Sequence, residues 1–87
     1  MAYIIRLSKQ ARKQIPWLRA AGLRDNVNAL LEVLRLNPFL TPPSYEKLTG
    51  DFKGLYSRRI NRQHRLVYAV DEALKEVHIL SMWSHYE

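Results

Sequence analysis

Three short motifs in the C-terminal half of this 87-residue chain combine arginines with a histidine and a tyrosine. Ser-Arg-Arg-Ile occupies positions 57–60, His-Arg-Leu-Val-Tyr occupies positions 64–68, and His85 and Tyr86 immediately precede the last residue. Arginine side chains suit phosphate, because the planar guanidinium group matches phosphate oxygens and does not lose its charge. A histidine adds a group that exchanges a proton near neutral pH. The combination points to phosphodiester chemistry.

Arg59 and Arg65 are predicted to lie opposite each other on two neighbouring strands. The link at 61–63 is short enough for a hairpin, and the register that we assume for it pairs these two positions. Like charges directly across a strand pair are destabilising, so an anion held between them would explain the arrangement. The alternative is that both guanidinium groups extend into solvent or pair with Asp51 or Glu46.

Candidates for an acid and a base complete the set. If the last predicted strand is antiparallel to the strand at 64–70, its end brings His85 close to Arg65. Glu46, in the segment before these strands, could approach the same area, although the sequence alone does not show that it does. A ribonuclease without a metal needs one group that removes the proton of the ribose 2′-OH, cations that stabilise the phosphorane, and a group that protonates the leaving 5′-oxygen. The 2′-OH itself is the nucleophile.

The charge balance favours a polyanionic partner. Lysine and arginine outnumber aspartate and glutamate by 14 to 8, and between positions 46 and 65 six basic residues stand against two acidic ones. RNA, DNA, a ribosome and an acidic protein all fit such a balance. The basic residues that we predict to contact RNA or the ribosome are Arg58, Lys47, Lys53, Arg62, Lys9, Arg12 and Lys13.

Composition excludes several other classes of protein. The chain has no cysteine, so it has no disulfide and no thiol nucleophile, and its three histidines are too far apart in sequence to predict a zinc site. No glycine-rich phosphate loop is present. No apolar run approaches the roughly 20 residues of a membrane span, and the N-terminus does not resemble a secretory signal. We therefore expect a cytoplasmic protein that has no cofactor and does not bind membranes.

Aromatic and histidine residues outside the proposed site have simpler interpretations. Tyr56 and Trp83 could stack on bases, as aromatic residues of RNA-binding sheets do, whereas Tyr68 is expected in the core. His64 alternates with Arg65 and should face away from the arginine pair, so a structural role is expected for it.

The pattern of elements predicts a single α+β domain over residues 1–87. Ser8 is a candidate N-cap for a first helix, in which Pro16 should cause a kink or a second start. The order β-α-α-β-β-β places two N-terminal helices on one face of a mostly antiparallel sheet and leaves the other face open to a ligand. The predicted strands are 3–7, 55–60, 64–70 and 77–83, the helices are 9–20 and 23–36, and residues 45–48 form a short extended or turn segment.

The last 40 residues or so resemble the YoeB/Txe family of bacterial toxins, within the RelE superfamily. The resemblance is carried by the two arginine motifs, by Leu48 followed by Gly54 and an aromatic residue, and by the final His-Tyr pair. The N-terminal half matches in its order of elements and in Asn-Pro-Phe at 37–39. The resemblance implies a microbial-RNase/RelE-like fold and a ribosome-dependent mRNA endonuclease, an mRNA interferase that inhibits translation by cutting in the ribosomal A site without a metal.

The same resemblance implies a role for each of five site residues. In the family, the residue matching Glu46 is the general base and the residue matching His85 is the general acid. The residue matching Arg65 stabilises the transition state, and those matching Arg59 and Tyr86 assist. All five residue types are present in this chain.

The resemblance also implies partners. These are a cognate antitoxin of the YefM/Axe type, the ribosome with its mRNA, and operator DNA contacted only through the antitoxin complex; a homodimer is compatible with it. The alternative is a non-catalytic basic module that binds RNA, DNA or the antitoxin and acts as an operon co-repressor. Such a module needs the arginines but has no use for an acid and a base, so Glu46 and His85 distinguish the two.

Overall fold

The computed structural model describes the backbone from Ala2 to Ser84 and the side chains as far as Met82. Within that range the chain forms two α-helices and five strands. These are β1 (Ile4–Leu7), α1 (Lys9–Ala20), α2 (Arg24–Leu36), β2 (Glu46–Lys47), β3 (Tyr56–Arg59), β4 (Arg65–Asp71) and β5 (Glu76–Ser84), with a short 3-10 turn at Gly50–Phe52 before β3. The predicted elements are all present, and residues 45–48, predicted to be a short extended or turn segment, contain β2.

The five described strands form one mixed sheet in the order β1-β5-β4-β3-β2. The β1 strand runs parallel to β5, and the other neighbouring strands are antiparallel. Buried side chains of both helices pack with Leu66, Tyr68, Val77 and Ile79 in a single core. The predicted α+β class, with helices on one face of a mostly antiparallel sheet, is confirmed. None of the described helices is long and apolar enough to cross a membrane.

Helix α1 begins at the predicted cap. The Ser8 hydroxyl accepts a hydrogen bond from the Ala11 amide at 3.0 Å and donates one to the Leu80 carbonyl at 2.9 Å. One helix then runs through Pro16 to Ala20, so the second helix start that we allowed for is wrong. Pro16 is exposed, and its ring removes only one backbone hydrogen bond from a helix whose other side is anchored in the core.

A buried amide fixes the end of β5. The Gln14 side chain accepts a hydrogen bond from the Met82 amide at 2.6 Å and donates one to the Ser81 hydroxyl at 3.3 Å. The pairing of β4 with β5 is irregular on both sides of Val67, and it places Ser84 across from Arg65. Through these two hydrogen bonds, helix α1 holds the last described residues of β5 in register with β4.

The strand register places Glu46, Arg59 and Arg65 on the face of the sheet that turns away from the helices. Arg59 lies across from Arg65, and Ser57 lies across from both Val67 and Glu46, as the predicted hairpin requires. Residues directly opposite each other share a face. We call this surface the open face; within the described chain it carries Glu46, Ser57, Arg59, Arg65, Val67, Glu76, His78 and Arg6.

Candidate functional site

A glutamate and an arginine form the centre of the candidate site. Glu46 Oε1 lies 3.2 Å from Arg65 Nη1, and the same Nη1 is 3.4 Å from the Ser57 hydroxyl oxygen. The Glu46 side chain is 62% exposed and the Arg65 side chain only 19%. An ion pair at this exposure contributes about 1 kcal/mol or less to stability. Its importance is therefore the geometry, which sets an accessible carboxylate beside a sheltered cation.

A shallow recess of about 230 Å³ opens beside this ion pair. Strand β2, the turn that follows it and the neighbouring strands supply its walls. Its lining residues are Glu46, Lys47, Leu48, Thr49, Phe52, Ser57 and Arg65. The recess therefore sets the Glu46 carboxylate beside the Arg65 guanidinium group, and acid-base catalysis with stabilisation of a developing negative charge needs groups of these two kinds.

Arg59 has the predicted backbone position but a different environment for its side chain. It lines a separate depression at the edge of the molecule, together with Asp25 and Asn26 of α2 and Pro43. It is not among the residues that line the recess. The structure therefore brings Glu46 and Arg65 together at the recess, whereas Arg59 lines the separate depression beside α2.

His85 and Tyr86 lie outside the described residues, and their assigned roles remain predictions. The last described residue, Ser84, pairs with Arg65. The antiparallel pairing of β4 and β5 that this prediction required is confirmed.

Arg58 is a correction to the predicted RNA-binding set. Its side chain is 1% exposed and lies on the helix-facing side of β3, across from Leu66. Its guanidinium group donates to the carbonyls of Pro38, Leu40 and Pro43. A buried guanidinium group with these bonds cannot contact RNA, so assigning Arg58 to RNA binding was wrong. The alternation of side chains along β3, applied to the predicted hairpin, already carried this signal.

The other predicted basic residues are exposed, but they do not all belong to one surface. Lys47 lines the recess, and Lys53 shares with Lys47 a neighbouring depression. Arg62 lies in the turn between β3 and β4. Lys9, Arg12 and Lys13 are on α1, in the helical layer on the other side of the sheet. Contact of these residues with RNA or the ribosome remains a prediction.

The aromatic residues near β3 pack against one another. Tyr56 stacks on Tyr68 with 5.6 Å between ring centroids, and its edge contacts Phe39 at 5.3 Å. Tyr56 is therefore part of an aromatic cluster, which does not favour the idea that it stacks on bases. Tyr68 is buried, as predicted, and His64 is buried too. Burial raises the pKa of Tyr68 above its ordinary value, although its hydrogen bond with Arg58 opposes the shift.

The structure offers no metal site among its described residues. No group of three histidine, aspartate or glutamate side chains within residues 2–82 is placed to hold an ion.

Solved structures with the same architecture define the class of protein. A YoeB/ParE toxin from Agrobacterium tumefaciens superposes with a TM-score of 0.85 over 95% of this chain and 99% of its own, at 25% identity. YoeB in the heterotetrameric YoeB-YefM toxin-antitoxin complex from Staphylococcus aureus superposes with a TM-score of 0.80 over 99% and 100%, at 32% identity. The fold is that of the RelE-like bacterial toxins.

Sequence comparison narrows the class to one family. The model of the YoeB-like toxin of bacterial type II toxin-antitoxin systems matches residues 17–86. A Synechocystis protein described as Toxin YoeB is 34% identical over 65 residues, which are 75% of this chain and 73% of that protein. The chain belongs to the YoeB-like toxin family. The matched residues include Glu46, Arg59 and Arg65.

Proposed function

We propose that this toxin is a ribosome-dependent endoribonuclease that cleaves mRNA in the decoding A site and so inhibits translation. The observation that carries the proposal is the ion pair between Glu46 Oε1 and Arg65 Nη1, 3.2 Å apart at the recess of the open face. Membership of the YoeB-like family and a net charge of +6 support it.

In the proposed reaction, Glu46 removes the proton from the 2′-OH of the nucleotide at the recess. The 2′-oxygen then attacks the adjacent phosphorus while Arg65 stabilises the charge that develops on the phosphorane. His85 protonates the 5′-oxygen as its bond to phosphorus breaks. The products are a 2′,3′-cyclic phosphate and a free 5′-hydroxyl, and Arg59 and Tyr86 assist. No step of this path requires a metal.

The exposures of the paired side chains suit these roles. Glu46 is open to solvent, so a ribose can approach its free oxygen. Arg65 is held between Glu46 and the Ser57 hydroxyl, which limits the rotation of its guanidinium group before RNA arrives. A preorganised cation stabilises a transition state more effectively than one that must first reorient. The arrangement is therefore ready for chemistry in the unbound protein.

We further propose that a cognate antitoxin related to YefM neutralises this toxin by covering the recess, and that the complex represses its own operon. The Staphylococcus aureus relative is solved in complex with YefM, and a dimer of that YoeB is also solved. The net positive charge suits acidic segments of an antitoxin as well as RNA. Since the proposed substrate is mRNA on translating ribosomes, the proposed location is the cytoplasm.

The test is cleavage of mRNA on stalled ribosomes. Purified protein is mixed with ribosomes stalled on a defined message, and the cuts are mapped by primer extension. We expect cuts within the A-site codon, and we expect Arg65→Ala to reduce their rate about 10²- to 10³-fold. Thermal unfolding of the variant should resemble that of the parent, because Arg65 lies on the open face.

Arg6→Ala is a matched control. Arg6 is also an open-face arginine paired with a glutamate, Glu76, at 3.1 Å, but it lies in β1 at the far edge of the sheet. Its removal should leave the cleavage rate unchanged. If no protein cuts, although all are folded and bound to ribosomes, the non-catalytic co-repressor replaces the nuclease. If Arg6→Ala and Arg65→Ala lose activity equally, charge alone explains the effect and the assignment of the site is wrong.

A further inference from the structure

The buried guanidinium group of Arg58 is bonded entirely to uncharged oxygen atoms. Nη1 donates to the Pro43 carbonyl at 2.6 Å, and Nη2 donates to the carbonyls of Pro38 at 2.9 Å and Leu40 at 2.8 Å. Nε donates to the hydroxyl of Tyr68 at 3.2 Å, which in turn donates to Pro38 at 2.8 Å. The four bonds that Arg58 itself donates use most of the five N–H groups of its side chain.

Simple packing does not account for a charge at this position. Burial of a charge is unfavourable unless hydrogen bonds replace the lost water, and well-packed apolar residues often replace buried charges without loss of stability. Position 58 is opposite Leu66 on the core side, where an apolar side chain would fit the pattern. What the guanidinium group adds is hydrogen bonds to three carbonyls of residues 37–43, which we call the proline segment.

The proline segment requires hydrogen-bond donors from elsewhere because it cannot form regular secondary structure. Three of its seven residues are prolines, which have no amide hydrogen to contribute to a helix or a strand ladder. Its carbonyls still require donors where they are buried. Arg58 supplies those donors from the neighbouring strand and thereby fixes the path of the chain from α2 towards β2.

The same side chain reaches the residue next to the proposed base. The Tyr45 ring lies 5.1 Å from Arg58 Cζ, and it contacts the rings of Phe39 and Tyr56 at 5.8 and 5.9 Å. A cation against an aromatic face is attractive, especially when both are shielded from water. Tyr45 directly precedes Glu46, so its placement determines where β2 begins.

Strand β2 depends on these anchors because it is only two residues long. It pairs with β3 through Glu46 and Lys47 alone, whereas strands usually have three to ten residues. After it, the Leu48 amide donates to the Leu55 carbonyl at 2.9 Å. Before it, the anchor is the contact of Arg58 with Tyr45 and the proline segment.

We infer that Arg58 is a positioning residue that holds Glu46 beside Arg65 by anchoring the proline segment and Tyr45 from the core side of β3. The inference rests on the proposed role of Glu46 as general base. It separates the two adjacent arginines of the Ser-Arg-Arg-Ile motif, since Arg58 is buried and acts through backbone carbonyls, whereas Arg59 is exposed. Loss of Arg58 should free β2 and slow cleavage without changing ribosome binding.

The activity test compares Arg58→Met and Arg58→Lys with the parent in single-turnover cleavage at saturating ribosomes. Methionine keeps an unbranched stem without charge, and lysine keeps the charge but not the fork that reaches several carbonyls. We expect Arg58→Met to cut about 10- to 100-fold more slowly, since small misplacements of reacting groups cost that much, with Arg58→Lys between it and the parent.

A matched control separates positioning from general loss of stability. Val77→Ala removes two methyl groups from a fully buried site in β5, which pairs with β1 and β4 rather than with the proline segment. At a temperature where both proteins are folded, Val77→Ala should cut at the parent rate. Equal slowing of Val77→Ala and Arg58→Met would overturn the inference.

Coupling to Glu46 is tested with a double variant. If Arg58 acts through Glu46, adding Arg58→Met to Glu46→Gln should slow cleavage no further than Glu46→Gln alone. Multiplication of the two effects would show that Arg58 acts elsewhere and would overturn the inference.

Amide hydrogen exchange tests the same inference without any cleavage, and so separates its failure from failure of the proposed function. In Arg58→Met, the amides of β2 and of Leu48 should exchange at least about tenfold faster, while those of β5 keep their protection. Unchanged protection of β2 in a folded variant would overturn the inference even if the parent is an active nuclease. If Arg58→Met does not fold, Tyr45→Leu tests the same link without leaving a buried charge unpaired, and its β2 amides should also exchange faster.

Discussion

Two glutamate-arginine pairs stand at opposite ends of the open face, and their exposures are reversed. In the site, the carboxylate of Glu46 is exposed and the cation of Arg65 is sheltered. At the far end, the Arg6 side chain is 59% exposed and the Glu76 side chain only 14%. Glu76 also lies 3.1 Å from His78 Nε2, so two basic groups flank one carboxylate. The same two residue types thus form a pair with an accessible carboxylate at one end and a pair with a sheltered carboxylate at the other.

The comparison shows what turns an ion pair into a candidate catalytic site. A general base must reach a proton of the substrate, which requires at least one accessible oxygen. Glu46 meets this requirement on a two-residue edge strand beside a recess, whereas the sheltered Glu76 lies on β5, which is flanked by β1 and β4. Residue type and charge would not have distinguished them. The position of each strand in the sheet does.

The largest expected effect tests the difference between the two carboxylates. Glu46→Gln keeps the shape of the side chain and removes its basicity, so cleavage on stalled ribosomes should fall about 10²- to 10⁴-fold. Glu76→Gln should leave the rate unchanged, because Glu76 does not reach the recess. The rates are compared by primer extension at saturating ribosomes. A similar loss of rate in both variants would remove the distinction between the two ends of the sheet.

A smaller effect concerns the support beneath the site. Tyr68→Phe removes the hydroxyl that donates to Pro38 and accepts from Arg58. Leaving buried polar groups without this partner should lower the free energy of unfolding by about 1–3 kcal/mol. Urea denaturation measures the loss. A stability equal to that of the parent would mean that the hydroxyl is not part of the anchor for the proline segment.

The same tyrosine predicts a dependence of stability on alkaline pH. Burial raises the pKa of Tyr68 in the folded state above its ordinary value of 10.0, so folding favours the protonated phenol. The contribution to stability is complete below pH 10 and is lost as the pH rises through the pKa of the folded state. Denaturation curves should show a steeper loss of stability above pH 10 in the parent than in Tyr68→Phe. Parallel curves would contradict the raised pKa.

The smallest effect concerns the hydroxyl behind Arg65. Ser57→Ala removes an acceptor that lies 3.4 Å from Arg65 Nη1. A long hydrogen bond of this kind contributes about 0.5–1 kcal/mol, which corresponds to a two- to fivefold slower cleavage. Arg6→Ala, at the far edge of the open face, is again the control and should not change the rate. A loss as large as that of Glu46→Gln would assign Ser57 a direct part in the reaction.

The sequence predicted the elements and one face of the hairpin well, because both follow from alternation over short distances. The pairing of Arg59 with Arg65 needed only a three-residue turn and a period of two. The helix pattern from Val27 to Leu34 was equally local. The Ser8 cap needed only its own hydroxyl and the start of an apolar pattern.

What the sequence did not predict depends on contacts between distant segments. Alternation along β3 indicated the face of Arg58, but not its partners, which are the carbonyls of Pro38, Leu40 and Pro43, 15 to 20 positions earlier in the chain. The approach of Glu46 to Arg65 depends on how the proline segment and a two-residue strand are placed. Glu46 was assigned as the base from the resemblance to a family and not from spacing. The continuity of α1 through Pro16 likewise reflects packing that a propensity cannot include.

One measurement tests most directly whether Glu46 and Arg65 form a site for attack by the ribose 2′-OH. A message with a single 2′-deoxynucleotide at the mapped A-site cleavage position is loaded on stalled ribosomes beside the matching all-ribose message, and both are treated with the parent protein. We expect the all-ribose message to be cut to a 2′,3′-cyclic phosphate and the substituted message to remain whole at that position. Cleavage of the substituted message at the same position and rate would show that the 2′-OH is not the nucleophile and would contradict the role given to Glu46.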